Sequence, residues 1–336
     1  MLTPKIKITI TLFLILIVLS AGIVLWLLNT PLISKQQTEV IFTFAPGTSV
    51  TKLANELSSQ GVLKHPSLLI LLSNLTKTST HLQAGEYRVN HKTTLWQLWS
   101  QLKKGQVVLY SFVIVEGWTF DKLITALKNN PNITHTLTEL TESEIMKFIG
   151  HEGEIPEGRF FPETFKFPHN TKDTDILIMS YLLMEIKLNE LWMERAPNTP
   201  YNCPYKALIA ASIIEKEASR PEELSIISGV IARRLRQDMY LQMDPTIIYG
   251  LGAKYNGSLT LNDLQTDSPY NTYLHKSLPP TPICSPSEKA IYAALHPDKS
   301  DILYYVAKGD GSHEFSPTLE EHNLAVQKYR LDKNHD

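Results

Sequence analysis

Apolar and polar positions alternate most tellingly over residues 206–250, KALIAASIIEKEASRPEELSIISGVIARRLRQDMYLQMDPTIIYG. Ala210, Ile213, Ile214 and Glu217 recur at i, i+3, i+4 and i+7, one face of an α-helix whose last member is a carboxylate. Glu215 falls roughly 200° around the axis, on a more polar line with Leu208, Ser212 and Ser219, so the two carboxylates cannot serve one site. Ser219 and Glu222, with Pro221 between them, predict a capping box at the start of a second helix. Leu224, Ile227, Val230 and Ile231 are its core face, residues 233–238 its polar end, and a polar loop over residues 242–246 follows. A carboxyl on a half-buried face is disfavoured as an anion, so Glu217 has the profile of a general acid. The same position also suits a buried glutamate paired with Arg220, Arg233, Arg234 or Arg236.

The chain opens on a different pattern. Residues 8–28 carry no charge, and about 20 apolar residues suffice to cross a bilayer. Lys5 and Lys7 precede the run and only Lys35 follows before Glu39, which places the N-terminus in the cytoplasm, with Trp26 at the far interface. The run is too long for a cleaved signal peptide and no A-x-A site follows Leu28, so an uncleaved anchor is expected, with the rest exported. Residues 40–44, 86–89 and 107–115 read as strands. Each is followed by a hydroxyl cap and an amphipathic helix: Ser49 before Leu53 and Leu57, Thr94 before Leu98 and Leu102, Thr119 before Leu123 and Leu127. Residues 176–191 predict a further helix, residues 302–306 a last strand, 309–313 a hairpin-like turn and 319–329 a closing helix. After Gly250 the loops are rich in Tyr, Asn and Pro, residue types that grip sugar rings but also build ordinary turns. The pattern as a whole is α+β.

Length and charge narrow the function. A chain of 336 residues has room for two or three domains, and a net charge of −2 without a basic aromatic cluster argues against nucleic-acid binding. No H-E-x-x-H or C-x-x-C spacing occurs, and Asp310, His313 and His322 have no ligand geometry, so neither metal nor cofactor is expected. Cys203 and Cys284 permit one disulfide in an oxidising compartment, but two cysteines make no framework, and free thiols are the expected state.

Several motifs, in order from about residue 38 to 330, resemble the membrane-bound endolytic murein transglycosylases (MltG, or YceG-like). They are Ala84-Gly85-Glu86-Tyr87, Val115-Glu116-Gly117-Trp118-Thr119, Glu157-Gly158-x-Phe160-Phe161-Pro162-Glu163-Thr164, Ile214-Glu215-Lys216-Glu217, Leu241-Gln242-x-Asp244-Pro245-Thr246-x-x-Tyr249-Gly250, Ser268-Pro269-Tyr270-Asn271-Thr272-Tyr273, Leu278-Pro279-Pro280 and Asp310-Gly311-x-His313-x-Phe315. The resemblance implies a tip and anchor over 1–34, a small LysM-like α/β module over 38–110, an intermediate α+β segment over 111–200 and a mixed α+β catalytic domain over 201–336. It further implies a single-pass bacterial inner-membrane lyase with a periplasmic catalytic domain, which cuts nascent peptidoglycan strands internally and ends their elongation. Glycan strands are then the substrate, and peptidoglycan synthases candidate partners. The second Glu of the family's E-K-E motif is its acid/base, here Glu217, while Gln242, Asp244, Tyr249, Asn271 and Tyr273 are the residues expected to line the cleft. Thr281 and Ser287 stand where the family usually has Gly.

In such a lyase one carboxyl suffices, because the 6-hydroxyl of N-acetylmuramic acid attacks in place of water and leaves a 1,6-anhydro end. Two alternatives stay open: a lysozyme-type hydrolase in which Asp244 works with Glu217 on water, and a non-catalytic glycan-binding or division protein.

Overall fold

The uncharged run folds as the helix α1 (Pro4–Asn29), apolar on every side. Within it Ile8–Asn29 is long and apolar enough to cross a membrane, and its most apolar stretch is not buried against the protein. The computed structural model describes residues 4–36, 39–76 and 82–331; the side chains of Lys5 and Lys7, on which the expected orientation rests, lie outside the described ones. Two compact units make up the chain, Met1–Tyr110 with Lys166–Asn170, and Ser111–Phe165 with Thr171–Asp336. Residues 166–170 of the segment expected at 111–200 belong to the first unit, and the rest of that segment falls in the second together with 201–336.

In the first unit β1 (Glu39–Phe44) is followed by α2 (Val50–Ser59), α3 (Pro66–Thr76), β2 (Gly85–Asn90) and α4 (Leu95–Lys104). The two strands pair antiparallel, Glu39 opposite Asn90 and Phe44 opposite Gly85. Ser49 caps α2 by accepting the Lys52 N–H, and Thr94 forms a full capping box with Gln97 at the start of α4, as their hydroxyls predict. The helix α3 has no counterpart in the sequence reading, because its consecutive leucines and isoleucine over 68–72 give no helical period to detect. Phe42, Leu53, Leu57, Leu69, Tyr87, Leu98 and Trp99 form the core. Leu28, Leu32 and Ile33 join it, and the Leu32 N–H donates to the Thr93 carbonyl at 2.9 Å, so the end of α1 is fastened to this unit.

The strand β3 (Leu109–Val113) leads onward, and the second unit continues with α5 (Phe120–Lys128), β4 (Ile133–Thr134), α6 (Glu142–Phe148), β5 (Thr164–Pro168), β6 (Thr171–Lys172) and α7 (Asp173–Met193). Then come α8 (Pro204–Glu217), α9 (Leu224–Arg236), α10 (Asp244–Leu251), the short α11 (Leu261–Leu264), α12 (Glu288–Leu295), β7 (Tyr304–Ala307), β8 (His313–Ser316) and α13 (Leu319–Val326). The described strands pair only in twos, β1–β2, β3–β5, β4–β6 and β7–β8, so the architecture is mixed α+β with helices supplying the larger core.

That core is built around α8. Every residue from Ala207 to Ile214 is buried, because Ala207, Ala210 and Ala211 let α7, α9, α10 and α12 approach it from all sides. The expected polar line on this helix is therefore absent: Leu208 and Ser212 are fully buried, and the Ser212 hydroxyl is occupied by the Ile209 carbonyl and the Ile283 N–H. The break after α8 also differs from expectation. A single 3₁₀ turn over Pro221–Glu223 intervenes, α9 begins at Leu224 with Glu223 as its cap residue, and no Ser219–Glu222 capping box forms. Glu223 is instead drawn to His313, accepting from its backbone N–H at 2.9 Å and bonding its ring Nδ1 at 2.7 Å. A strong buried partner outweighs a local cap.

Candidate active site

Glu217 is the last residue of α8, where the all-round burial of the helix gives way. Burial, followed by the negative charge of Asp244, pushes its carboxyl up to about 8, against the lowering influence of the nearby Tyr305 hydroxyl, which itself donates to Met243 Sδ at 2.7 Å. The carbonyl end of the helix dipole also disfavours an anion at this position. A carboxyl so placed carries its proton at neutral pH. None of the four arginines weighed as ion-pair partners is spent on it: Arg220 engages Asp310, Arg233 engages Asp298 and the Ile302 carbonyl, Arg234 the carbonyls of Tyr240, Leu241 and Leu303, and Arg236 the Asn198 carbonyl.

Glu215 faces elsewhere. Its carboxylate accepts from the Ser287 N–H at 3.0 Å and hydroxyl at 2.6 Å, while the same hydroxyl caps α12 by accepting the Ala290 N–H. Burial raises its pKa, and Ser287 opposes that rise. Serine at this position thus ties α8 to α12. Thr281 is equally engaged, bonded to the Tyr270 hydroxyl at 2.8 Å and donating to the Pro282 carbonyl at 2.8 Å.

Residues 242–246, expected as a loop, instead turn into a helix. Gln242 takes a left-handed backbone (φ 52°) and α10 starts at Asp244 with Pro245 in its first turn, which places the Asp244 carboxylate at a helix N-terminus. The 268–273 loop clamps this entry, with the Gln242 N–H on the Thr272 carbonyl (3.1 Å) and the Met243 N–H on the Thr272 hydroxyl (3.0 Å). The Tyr273 hydroxyl donates to Asp244 at 2.6 Å. A cavity of about 220 Å³ opens beside these groups, lined by Arg234, Gln242, Tyr273, Tyr305 and His322 among others. Arg234 steadies Gln242 by donating to its side-chain oxygen at 3.2 Å.

The expected cleft residues therefore divide. Gln242, Asp244 and Tyr273 gather with Glu217 around Tyr305. Tyr249 lies on another face of α10, where its hydroxyl donates to Glu157 at 3.0 Å and its ring meets Tyr270 edge-on at 4.8 Å. Asn271 is 1% exposed and its amide is fully committed, donating to the Leu264 and Thr266 carbonyls and accepting the Tyr273 N–H. It braces the loop that carries Tyr273.

Two groups here were missed from the sequence. Tyr305 lay inside a run read only as a strand, and its ring is held by the edge of His313 at 5.1 Å, itself fixed by Glu223. Glu157 is buried, accepts the Phe120 N–H at 3.1 Å at the start of α5, and is pushed up to about 7 chiefly by burial. Its only signal was the Glu157-Gly158 turn among aromatics.

The YceG-like family model matches residues 42–328. An endolytic murein transglycosylase of Bacillus subtilis is 29% identical over 325 residues, covering 90% of this chain and 88% of that protein. Another of that name from Streptococcus pneumoniae is 27% identical, covering 89% of this chain and 60% of its own length. The crystal structure of a YceG-like protein of Listeria monocytogenes superposes with a TM-score of 0.54 at 27% identity, over 86% of this chain and 99% of that one. With the family model matching residues 42–328, most of the chain, this chain belongs to the YceG-like family.

Proposed function

We propose that this protein is an endolytic murein lytic transglycosylase and that Glu217 is its acid and base. The observation that carries the reading is the setting of Glu217: one carboxyl, protonated at neutral pH, within the influence of Tyr305, which lines a polar cavity together with Gln242 and Tyr273. The name shared by the relatives in Bacillus and Streptococcus supports the substrate class. In the first step Glu217 gives its proton to the oxygen linking N-acetylmuramic acid to N-acetylglucosamine, and the C1–O bond breaks. The 6-hydroxyl of the muramic residue then bonds to C1 and returns its proton to the Glu217 carboxylate, which regenerates the acid. Asp244 supplies negative charge for the oxocarbenium-like stage and holds Glu217 protonated, while Gln242 and Tyr273 orient the sugars.

The electrostatic reach of Asp244 to Glu217 also favours a second reading, in which Asp244 directs a water to the same carbon. Product ends separate the two: anhydro ends follow from attack by the sugar, reducing ends from attack by water.

The first unit is assigned to glycan binding as a LysM-like module, on the order β1-α2-α3-β2 with its antiparallel strand pair. The anchor is assigned the N-in orientation, with both units on the outer face of the inner membrane, on the charge bias about residues 8–28. A membrane-held endolytic lyase is placed to cut strands as they are made, which ends their elongation. Purified enzyme and isolated peptidoglycan test the assignment, with fragments weighed by mass spectrometry.

A further inference from the structure

The helix α3 is an anomaly in a module that faces water. Its eleven residues, PSLLILLSNLT, carry no charge. Leu68, Leu71 and Leu75, at i, i+3 and i+7, lie on one face, and Leu71 and Leu75 are 44% and 72% exposed. Exposed leucines in line on an uncharged helix mark a surface that is covered in use.

Where the helix begins says by what. The last turns of α1 and the start of α3 line one cavity of about 290 Å³, with Trp26 and Leu27 on one wall and His65 and Leu68 on the other. Leu95 closes it, and Thr94 beside it forms a β-bridge with Pro31, so the first turn of α4 sits at the same level. The next residue, Trp96, is 52% exposed, and Trp26 is 66% exposed. Leu28, Leu32 and Ile33 fix this arrangement by packing into the core of the same unit. The start of α3 thus lies beside the end of the apolar run of α1, across a cavity from the exposed Trp26, with Lys64 and His65 lining the same cavity. Tryptophan rings favour the headgroup layer, apolar helix faces lie in it, and basic side chains there meet lipid phosphates.

We propose that α3 is an interfacial helix: Leu71, Leu75 and Trp96 enter the outer leaflet of the bilayer that α1 crosses and hold the first unit against the membrane surface. The inference goes beyond the lyase reading and needs only that α1 spans. A module seated this way has a fixed height and orientation, so the glycan it meets is newly made strand near the membrane.

The full chain, reconstituted in vesicles of phosphatidylethanolamine and phosphatidylglycerol containing a diazirine-bearing phospholipid, tests this by photolabelling and peptide mapping. Adducts are expected on residues 66–76 and Trp96 as well as on 8–29. In the double variant Leu71→Ser, Leu75→Ser the adducts on 66–76 should fall to background while those on 8–29 and glycan cleavage in detergent persist. Adducts on 8–29 alone in the unaltered chain overturn the proposal and leave the span. Adducts on neither overturn both. Chain-to-chain crosslinks through 66–76 in place of lipid adducts give the face to a second copy and overturn it as well.

Discussion

At the scale of single residues, the account rests on two glutamates two positions apart with unlike partners. Glu217→Gln keeps the shape and loses the transferable proton, so activity on peptidoglycan should fall by about 10²–10⁴-fold, towards the upper end because no second acid is at hand. The same change should stabilise the fold. A carboxyl whose folded pKa lies above its unfolded one binds its proton more tightly when folded, so its contribution is complete below pH ~4.3 and is lost as pH rises towards 8. The wild type should therefore lose up to about 1.4 kcal/mol per pH unit through that window relative to Glu217→Gln, a difference that thermal melts between pH 4 and 9 would measure. Activity should decline above pH ~8 as the acid loses its proton, and Tyr305→Phe, which removes the hydroxyl that lowers the Glu217 pKa, should move that limb upward. An alkaline limb that stays in place in Tyr305→Phe would remove Tyr305 from contact with the acid. Glu215→Gln should weaken the tie to Ser287 and cost stability more than turnover.

Among the elements, those with a sharp period or a hydroxyl cap were legible beforehand: α2, α4 and α5 start at Ser49, Thr94 and Thr119 as predicted, and α7 and α8 fall where their apolar positions put them. Those decided by distant partners were not. The entry into α10 depends on Thr272, the start of α9 on the pull of His313 on Glu223, and the unbroken apolar run 68–72 of α3 hides its period. The helical stripe picked out Glu217, but the reason was incomplete, since α8 is buried on every side and Glu217 is distinguished by its place in the last turn. The turn carrying Glu157 offers a test at this scale. Gly158 has φ +75°, and an added Cβ would stand 2.4 Å from Pro282 Cβ. Gly158→Ala should cost about 1–3 kcal/mol through the positive φ and the overlap, measurable by denaturant unfolding; an unchanged midpoint would show that the Pro282 loop yields freely.

For the whole molecule, family and substrate class were legible because motifs recur in order through both units, whereas the residues that assemble the site, Tyr305 above all, are brought in from strands far along the chain. The cysteines illustrate the difference between pattern and distance. Cys203 caps the start of α8, while the Cys284 thiol lies on the Ser212 carbonyl, nine residues on and so about 13 Å along the axis, beyond the reach of a disulfide. Thiol labelling of denatured, unreduced protein should find both free, and finding neither would contradict the arrangement of that helix and loop. The assigned topology predicts that protease added to spheroplasts digests both units from outside; protection until lysis would reverse it. The central claim, that Glu217 transfers the proton while the sugar supplies the attacking hydroxyl, is tested most directly by mass spectrometry of fragments released from purified peptidoglycan by the wild type and by Glu217→Gln. The account predicts internal fragments ending in 1,6-anhydro-N-acetylmuramic acid from the wild type and none above background from the variant. Reducing ends from the wild type, or undiminished cleavage by Glu217→Gln, would contradict it.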